Sequence, residues 1–196
     1  MQKNLKFFTG WEMRIIAGTN RGRKLKTLPG LRTRPMLARM KESVFNIIGP
    51  FFSGGKVLDL FGGSGALSFE ALSRGAEESY IVEINPAALK IIDINARNLN
   101  EKDRIVLLRC DYQAALRKLK NDGLRFDLVF LDPPFKLKVI KQTRDYLNEN
   151  AMLNEGAYIV CHYFKGHHAP EETEEFSVIK NYSYAINEVT VYRKKR

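Results

Sequence analysis

From Lys56 onward, short apolar runs alternate with longer amphipathic stretches, and no other feature of the sequence restricts the fold as strongly. The apolar runs predict strands near residues 56–60, 79–84, 104–109, 126–131 and 156–161. The stretches between them predict helices near residues 65–74, 86–99, 112–120 and 138–149. Because short connections join these elements, we expect parallel strands in one sheet that helices cover on both faces.

Different patterns lie on either side of this alternating region. After Gly156, residues 162–174 predict an exposed loop, and residues 175–181 and 186–192 predict a final antiparallel pair of strands. Ahead of the region, the pieces MRIIAG and RKLKTL flank a turn and predict a hairpin. Apolar residues then recur at spacings of three and four, which predicts an amphipathic helix from about Pro35 that Gly49-Pro50 ends.

The net charge of +10 is concentrated at the amino-terminal end. Residues 1–42 contain eleven Lys or Arg and only two Glu, so this segment contributes +9 of the total. A basic segment on a nearly neutral body predicts a surface for a polyanion, with nucleic acid as the first candidate and a membrane surface as the second.

Other properties argue against several classes of protein. No apolar run approaches the about 18 residues that span a bilayer, and the first residues lack the apolar region of a secretory signal. Cys110 and Cys161 lack CxxC spacing, which favours a cytosolic chain with free thiols. His162, His167 and His168 fit no standard zinc pattern, so we predict no metal site.

The segment KVLDLFGGSGALSFEAL places a buried strand, an acid, a glycine-rich turn and a helix in direct succession. In an open α/β sheet, ligands bind at the carboxyl ends of the strands, beside the point where the strand order reverses. Gly62, Gly63 and Gly65 would let the backbone approach a ligand closely. The next strand ends in Glu83, and a carboxylate about twenty residues after such a turn can accept both hydroxyls of a ribose. The pattern predicts a site for a nucleoside-containing cofactor.

Among such cofactors, S-adenosylmethionine fits the residues best. Ser68 stands where the dinucleotide fingerprint has its third glycine, and no Walker lysine follows the turn. Asp59 at the strand end would repel a pyrophosphate, but it suits the ammonium group of an amino acid. S-adenosylmethionine has such an ammonium group, a sulfonium and a ribose.

The segment FDLVFLDPPF ends a core strand on a carboxylate, a group that is costly to bury. This strand is the fourth in the series, so it should lie beside the first and bring Asp132 to the crevice of the glycine-rich turn. Pro133 and Pro134 fix two φ angles and have no N–H of their own. The Asp132 carboxylate and the Pro133 carbonyl would then form a rigid pair of acceptors, and Phe135 offers a ring on which a base can stack.

Two acceptors beside a stacking ring suit methyl transfer to an aromatic amino group. The lone pair of such a nitrogen is delocalised into the ring, which makes it a poor nucleophile. Acceptors on both of its hydrogens would favour tetrahedral geometry, and Asp132 is negative where positive charge develops during transfer. Alignment of the reacting atoms at ~3–3.5 Å would supply much of the remaining acceleration, so Asp132 need not be a strong base.

Four segments together resemble the bacterial RsmD-type 16S rRNA guanine-N2 methyltransferases, over about residues 13 to 192. They are MRIIAGTNRGRKL, TRPMLARMKESVFNII, VLDLFGGSGALSFEALSRGA with YIVEINPAALKIIDIN, and FDLVFLDPPF. Many amino-methyltransferases share the last two, whereas the first two are typical of the RsmD type. The resemblance implies an α/β fold of the class I S-adenosylmethionine-dependent methyltransferases, which is Rossmann-like. Its seven-stranded, mostly parallel sheet has an antiparallel last strand and is preceded by a small hairpin-and-helix extension.

The same resemblance implies a division of the chain and a reaction. Residues 1–12 would be a disordered leader, residues 13–50 a basic RNA-binding segment, and residues 51–196 the methyltransferase domain. The methyl group would pass from S-adenosylmethionine to N2 of a guanine in the helix 31 loop of 16S rRNA, leaving S-adenosylhomocysteine. The substrate would be the small ribosomal subunit or its late assembly intermediate, and the enzyme a cytoplasmic monomer that does not bind membranes.

Roles for individual residues follow from the resemblance, position by position. The catalytic residues that hold the guanine would be Asp132, Pro133, Pro134 and Phe135. The cofactor would be bound by Asp59, Phe61, Gly62, Gly63, Ser64, Gly65, Glu83, Ile84, Asp111 and Tyr112. The rRNA phosphates would be bound by Arg14, Arg21, Arg23, Lys24, Arg32, Arg34 and Arg39.

Two positions depart from the family pattern, and other functions stay open. Met36 replaces a threonine of the family, and Cys161-His162 ends the fifth strand where relatives often have an acid. A DNA adenine-N6 or protein glutamine-N5 methyltransferase could use the same acceptors, although the chain lacks room for a DNA target-recognition insertion. A glutamine enzyme would not need the basic segment. An NAD-dependent oxidoreductase and a non-catalytic ribosome assembly factor are alternatives of other classes.

Overall fold

The structure, a computed structural model, describes residues 13–28, 38–134 and 137–196. The strands in these ranges are β1 (Met13–Arg14), β2 (Lys24–Leu25), β3 (Lys56–Asp59), β4 (Glu78–Val82), β5 (Ile105–Leu108), β6 (Phe126–Leu131), β7 (Leu153–Phe164), β8 (Phe176–Tyr184) and β9 (Asn187–Lys194). The helices are α1 (Ala38–Ile48), α2 (Ala66–Ser73), α3 (Pro86–Leu99), α4 (Tyr112–Asn121) and α5 (Ile140–Glu149), with a 3₁₀ turn at Lys102–Arg104. The predicted leader, the start of the first helix, and Phe135 lie outside the described residues.

Within the described residues, seven strands form one sheet in the order β5-β4-β3-β6-β7-β9-β8. Strands β3 to β7 are parallel to their neighbours in this group. Strand β9 runs antiparallel to both β7 and β8. The predicted parallel sheet and the predicted final antiparallel pair are therefore confirmed. The strand order reverses between β3 and β6, so the ligand-binding crevice of such a sheet is expected there.

Helices cover both faces of the sheet because the side chains of its strands are apolar on both sides. On one face, Phe45 of α1 packs against Phe130 of β6, with the ring centroids 5.9 Å apart. On the other face, Leu116 of α4 and Leu147 of α5 belong to one buried cluster with Val129. Successive residues of β6 thus point into opposite layers, which is the alternation expected of a strand. This double packing fixes the position at which β6 ends.

The amino-terminal hairpin forms with strands of only two residues each, shorter than the pieces that the sequence predicts. Beyond β1, the N–H groups of Ile16 and Ala17 donate to the two carboxylate oxygens of Glu70 at 2.9 and 3.1 Å. Beyond Leu25, the N–H of Lys26 donates to Asn95 Oδ1 at 2.8 Å. The ladder ends early because side chains of α2 and α3 take the hydrogen bonds that a partner strand would take.

Strand β7 is longer than predicted, and His162 therefore lies in a strand and not in a loop. The sequence predicts an exposed loop from residue 162, but β7 extends to Phe164, so the prediction is wrong for residues 162–164. His162 lies inside the strand, opposite Val189 of β9, and is 1% exposed. Pairing with β9 extends β7 because β9 supplies hydrogen-bond partners on the side away from β6.

The two cysteines and the lengths of the helices bear on two further predictions. Both cysteines are free thiols, as predicted. Of the helices in the described ranges, none is long and apolar enough to cross a membrane.

Candidate active site

The structure brings together the turn after β3 and the corner after β6. We call residues 60–65 the glycine turn and Asp132–Pro134 the proline corner. Asp59 is the register partner of Phe130, and Leu60 donates its N–H to the Phe130 carbonyl at 3.2 Å. Since β3 and β6 are parallel neighbours, the glycine turn and the proline corner leave the sheet side by side at its carboxyl edge. Both lie at the point where the strand order reverses.

The three glycines of the turn have different structural roles. A Cβ on Gly62 would lie 2.4 Å from Ile81 Cγ2, and one on Gly65 would lie 2.5 Å from the ring of Phe69. Gly65 also has a φ of +77°, a left-handed conformation that favours glycine. Gly63 differs, because the nearest atom to a Cβ there is the Phe61 carbonyl oxygen at 4.0 Å. Of these three glycines, Gly63 alone faces space that a ligand can fill.

Glu83 holds its carboxylate against the glycine turn. Its Oε2 accepts a hydrogen bond from Gly63 N at 2.8 Å, and its Oε1 accepts from the N–H groups of Ile84 and Asn85 at 2.8 and 2.7 Å. An ionised carboxylate has about four acceptor sites, so these three bonds leave capacity for a hydroxyl donor. Glu83 is therefore fixed in place at the end of β4 and is able to accept from a ribose.

Asp59 lies beneath the glycine turn and is 1% exposed. Ser68 Oγ donates to its Oδ2 at 3.0 Å, and Phe61 N donates to its Oδ1 at 3.4 Å. Burial is the main cause that raises the pKa of Asp59 to about 7, and these two hydrogen bonds oppose the rise. The negative charges of Asp132 and Glu83 raise the pKa further, so the three carboxylates are electrostatically coupled. A site with this excess of negative charge favours a positively charged ligand.

We expect Asp59→Asn to raise the free energy of unfolding of the ligand-free protein, relative to the original protein, by more at pH 8 than at pH 5. An unfolded chain releases the Asp59 proton near the ordinary aspartate pKa of 3.8, whereas the folded protein keeps it until about pH 7. The folded state therefore binds more protons between these values, and its free energy of unfolding falls as the pH rises through them, by up to about 4 kcal/mol from this group. The asparagine variant lacks that fall.

Urea unfolding at pH 5 and pH 8 measures this effect. The difference between Asp59→Asn and the original protein should be larger at pH 8. Asp122→Asn on the surface is the matched control and should show the same small difference at both pH values. Equal differences for Asp59→Asn at the two pH values would contradict a raised pKa for this carboxyl.

Three of the predicted cofactor-binding residues, Phe61, Ile84 and Tyr112, follow the ends of β3, β4 and β5 and form an apolar edge that is at least partly exposed. Ile84 is 66% exposed, an unusual state for a large apolar side chain. The rings of Phe61 and Tyr112 lie 5.4 Å apart at an angle of 40°. Asp111 caps α4, and its Oδ1 accepts two N–H groups of the first turn at 3.0 and 2.9 Å. The backbone bond from Ala114 is the main cause that lowers the pKa of Asp111, which keeps this carboxylate ionised.

The catalytic candidate Asp132 has a partner that the sequence did not indicate. His162 Nδ1 lies 2.8 Å from Asp132 Oδ1. His162 is buried in β7, while 28% of the Asp132 side chain is exposed. Pro133 is buried and Pro134 is exposed, and the Pro134 carbonyl accepts a hydrogen bond from Leu137 N at 2.8 Å. The contacts with His162 and Leu137 therefore hold the proline corner, and the Asp132 side chain is partly exposed.

The structure assigns different tasks to the predicted RNA-binding residues. Arg14 donates to the Gly22 carbonyl at 3.1 Å. Arg23 donates to Asn20 Oδ1 at 3.2 Å and to the Asn98 carbonyl, so it fastens the hairpin to α3. Both of these arginines are exposed, and so are the other described candidates, Lys24, Arg21 and Arg39. Arg32 and Arg34 lie outside the described residues.

Asn95 links the basic hairpin to the glycine turn and was also missed at the sequence level. This α3 side chain is fully buried. Its Oδ1 accepts from Lys26 N at 2.8 Å, and its Nδ2 donates to the carbonyls of Lys26 and Ser64 at 3.0 and 2.9 Å. Ser64 Oγ in addition lies 3.7 Å from Met13 Sδ. Asn95 therefore joins the basic hairpin to the glycine turn by hydrogen bonds.

A groove of about 500 Å³ lies between α4 and α5, where it is lined by residues such as Arg117, Gln142 and Tyr146. It shares Tyr112 with the apolar edge described above, but none of its lining residues belongs to the proline corner. The strand ends and their carboxylates, rather than this groove, define the candidate active site.

The sheet order, the antiparallel strand β9 between β7 and β8, and the carboxylates at the strand ends define the class I methyltransferase fold. Residues 13–193 match the family described as Conserved hypothetical protein 95. The chain belongs to this family, and its resemblance to the RsmD type is confirmed.

The matches to similar proteins cover most of the chain. It is 37% identical over 149 residues to Ribosomal RNA small subunit methyltransferase D of Haemophilus influenzae, covering 76% of this chain and 77% of that protein. It is 36% identical over 183 residues to YlbH of Bacillus subtilis, covering 93% of this chain and 100% of YlbH. The solved structure of YhhF from Escherichia coli superposes with a TM-score of 0.82 at 29% identity, covering 94% of this chain and 99% of YhhF.

Proposed function

We propose that this protein transfers the methyl group of S-adenosylmethionine to the exocyclic N2 amine of a guanine in the helix 31 loop of 16S rRNA. It would act as a monomer on the small ribosomal subunit or its late assembly intermediate. The relatives named Ribosomal RNA small subunit methyltransferase D support an rRNA substrate. The observation that carries the proposal is the pairing of β3 with β6, in which Asp59 lies opposite Phe130 and Leu60 donates to the Phe130 carbonyl, so that the proline corner and the glycine turn leave the sheet side by side.

The charges of the site support this cofactor over a dinucleotide. S-adenosylmethionine supplies a methyl group on a positively charged sulfur. Glu83 would accept from a ribose hydroxyl, and the ionised Asp111 and the exposed Ile84 would face the base. The negative charges around Asp59 favour the ammonium and sulfonium groups, whereas a pyrophosphate would add to the repulsion among the carboxylates.

The proline corner would hold the guanine and stabilise the charge that develops on its amine. One oxygen of Asp132 and the Pro133 carbonyl would accept the two N–H hydrogens, and Phe135 would stack on the base. Asp132 is negative next to the nitrogen that becomes positive, and a preorganised charge of this kind lowers the barrier without a large reorganisation. The same carboxylate is the nearest acceptor for the proton that the methylated nitrogen releases.

Transfer of a tritiated methyl group tests the proposal. The purified protein would be incubated with small subunits, naked 16S rRNA, DNA and a protein substrate in parallel, and labelled RNA would be digested to nucleosides. We expect label in N2-methylguanosine from the small subunit or its rRNA. Label only in DNA or protein, or in another nucleoside, would refute the proposed substrate.

Charge reversal of the exposed arginines tests the RNA-binding surface. We expect Arg21→Glu and Arg39→Glu each to weaken rRNA binding, because a phosphate contact and its released counterion are lost. The slope of log affinity against log salt should become shallower by about one unit for each lost contact. Filter binding across a salt series measures both quantities.

Lys118→Glu on α4 is the control for this experiment. It reverses the same charge on an exposed residue outside the basic segment. Binding that is unchanged in the arginine variants, or reduced as strongly by Lys118→Glu, would show that the RNA lies on another surface.

A further inference from the structure

Among the residues that the structure describes, no backbone N–H just after Asp132 donates to its carboxylate, unlike the carboxylates of two other strand-end acids. Asp111 and Glu83 each accept hydrogen bonds from N–H groups one to three residues further along the chain. Asp132 is followed by Pro133 and Pro134, and neither proline has an N–H. The two residues that make the corner rigid therefore also remove the two nearest backbone donors, and the described donor to this carboxylate comes from another strand.

His162 supplies that donor from the neighbouring strand. Leu131 at the end of β6 is the register partner of Cys161 in β7, so the next residues, Asp132 and His162, lie side by side. Their side chains meet at 2.8 Å through Asp132 Oδ1 and His162 Nδ1. An ionised carboxylate only accepts, so Nδ1 must carry the hydrogen. His162 is 1% exposed and its backbone pairs with Val189 of β9, so its ring has little freedom to move.

We propose that His162 is the positioning residue of Asp132. Its Nδ1–H holds Oδ1 and so orients the carboxylate, and Oδ2 stays available to accept from the guanine amine. Without this bond the carboxylate would rotate about the bond that joins it to the strand end, and its acceptor would leave the productive direction for part of the time. This inference rests on the proposed function, because it assigns a task within the proposed methyl transfer.

Three substitutions of His162 separate the hydrogen bond from the volume of the ring. Asn places an amide N–H close to the position of Nδ1, Gln places it close to Nε2, and Leu has no donor. We expect His162→Asn to retain most of kcat. His162→Gln and His162→Leu should lose ~10- to 100-fold in kcat, the rate equivalent of one hydrogen bond to a charged group.

The binding constants distinguish positioning from a general structural role. In all three variants, we expect KM for the rRNA substrate and Kd for S-adenosylhomocysteine to stay close to those of the original protein. Equal kcat values in His162→Asn and His162→Leu, whether both are retained or both are lost, would overturn the assignment to Nδ1.

A double-mutant cycle with Asp132→Ala provides a measurement that does not depend on activity. Urea unfolding of His162→Leu, Asp132→Ala and the double variant should give stability losses that are not additive, because both single changes remove the same bond. The residual rate of Asp132→Ala should not fall further when His162→Leu is added. Additive stability losses would refute the hydrogen bond itself. Non-additive losses in a protein that methylates no rRNA would refute the proposed function instead.

Discussion

Asp132→Ala should lower kcat for methyl transfer by ~10²-fold or more and leave cofactor binding nearly intact. The size follows from the loss of a preorganised charge at the position where positive charge develops. Cofactor binding should survive because the residues proposed to contact the cofactor lie at the ends of β3 and β4, in the glycine turn and at the start of α4, and the hydrogen bonds described above for them do not involve Asp132. Single-turnover kinetics and the Kd for S-adenosylhomocysteine measure the two effects separately.

Asp132→Asn shows how much of the effect is due to charge. The amide keeps one acceptor oxygen and loses the negative charge, so its kcat should lie between those of Asp132→Ala and the original protein. Asp122→Ala on the surface is the control for a simple loss of a carboxylate, and we expect full activity from it. An Asp132→Ala variant with unchanged kcat would show that the acid only ends a strand.

The part of the site that sequence could predict follows from local patterns and one topological rule. The apolar run at residues 126–131 coincides with β6, Phe126–Leu131, because its residues are buried on both faces. Parallel strands with short connections place their carboxyl ends at one edge, and the order reverses between the first and fourth strands of the series. The proximity of Asp132 to the glycine turn could therefore be predicted without any knowledge of side-chain contacts.

Several contacts that hold the site could not be predicted, because they join residues that are far apart in the chain. His162 lies 30 residues from Asp132, and Asn95 lies 69 residues from Lys26. The sequence around His162 lacks a second strand signal, and only the pairing with β9 shows that β7 continues. The contacts of Arg23 with Asn20 and Asn98 could not be predicted either, since an arginine in a basic segment gives no sign of them, and its role in phosphate binding stays a prediction.

A second large effect is expected at Glu70, an acid on α2 that is fully buried. Lys41 Nζ lies 2.9 Å from its Oε2, and Arg74 Nε lies 2.8 Å from its Oε1. The same oxygens accept the N–H groups of Ile16 and Ala17. Glu70 thus joins the basic hairpin, α1 and α2 at one point. Burial lowers the pKa of Lys41 although Glu70 opposes the change, which shows how strongly the ammonium depends on its partner.

We therefore expect Glu70→Gln to lower the free energy of unfolding by about 3–5 kcal/mol, the loss typical when one partner of a buried ion pair is removed. The amide keeps the size of the side chain but leaves the cations of Lys41 and Arg74 buried without a negative charge. Glu78→Gln is the matched control, since its pair with Lys56 is 3.9 Å long and partly exposed and should contribute at most about 1 kcal/mol. Urea unfolding followed by circular dichroism compares the two variants. Similar small losses in both would mean that packing, and not Glu70, attaches the basic hairpin to the methyltransferase domain. A large loss only in Glu70→Gln would identify this carboxylate as the group that attaches the basic hairpin to α1 and α2.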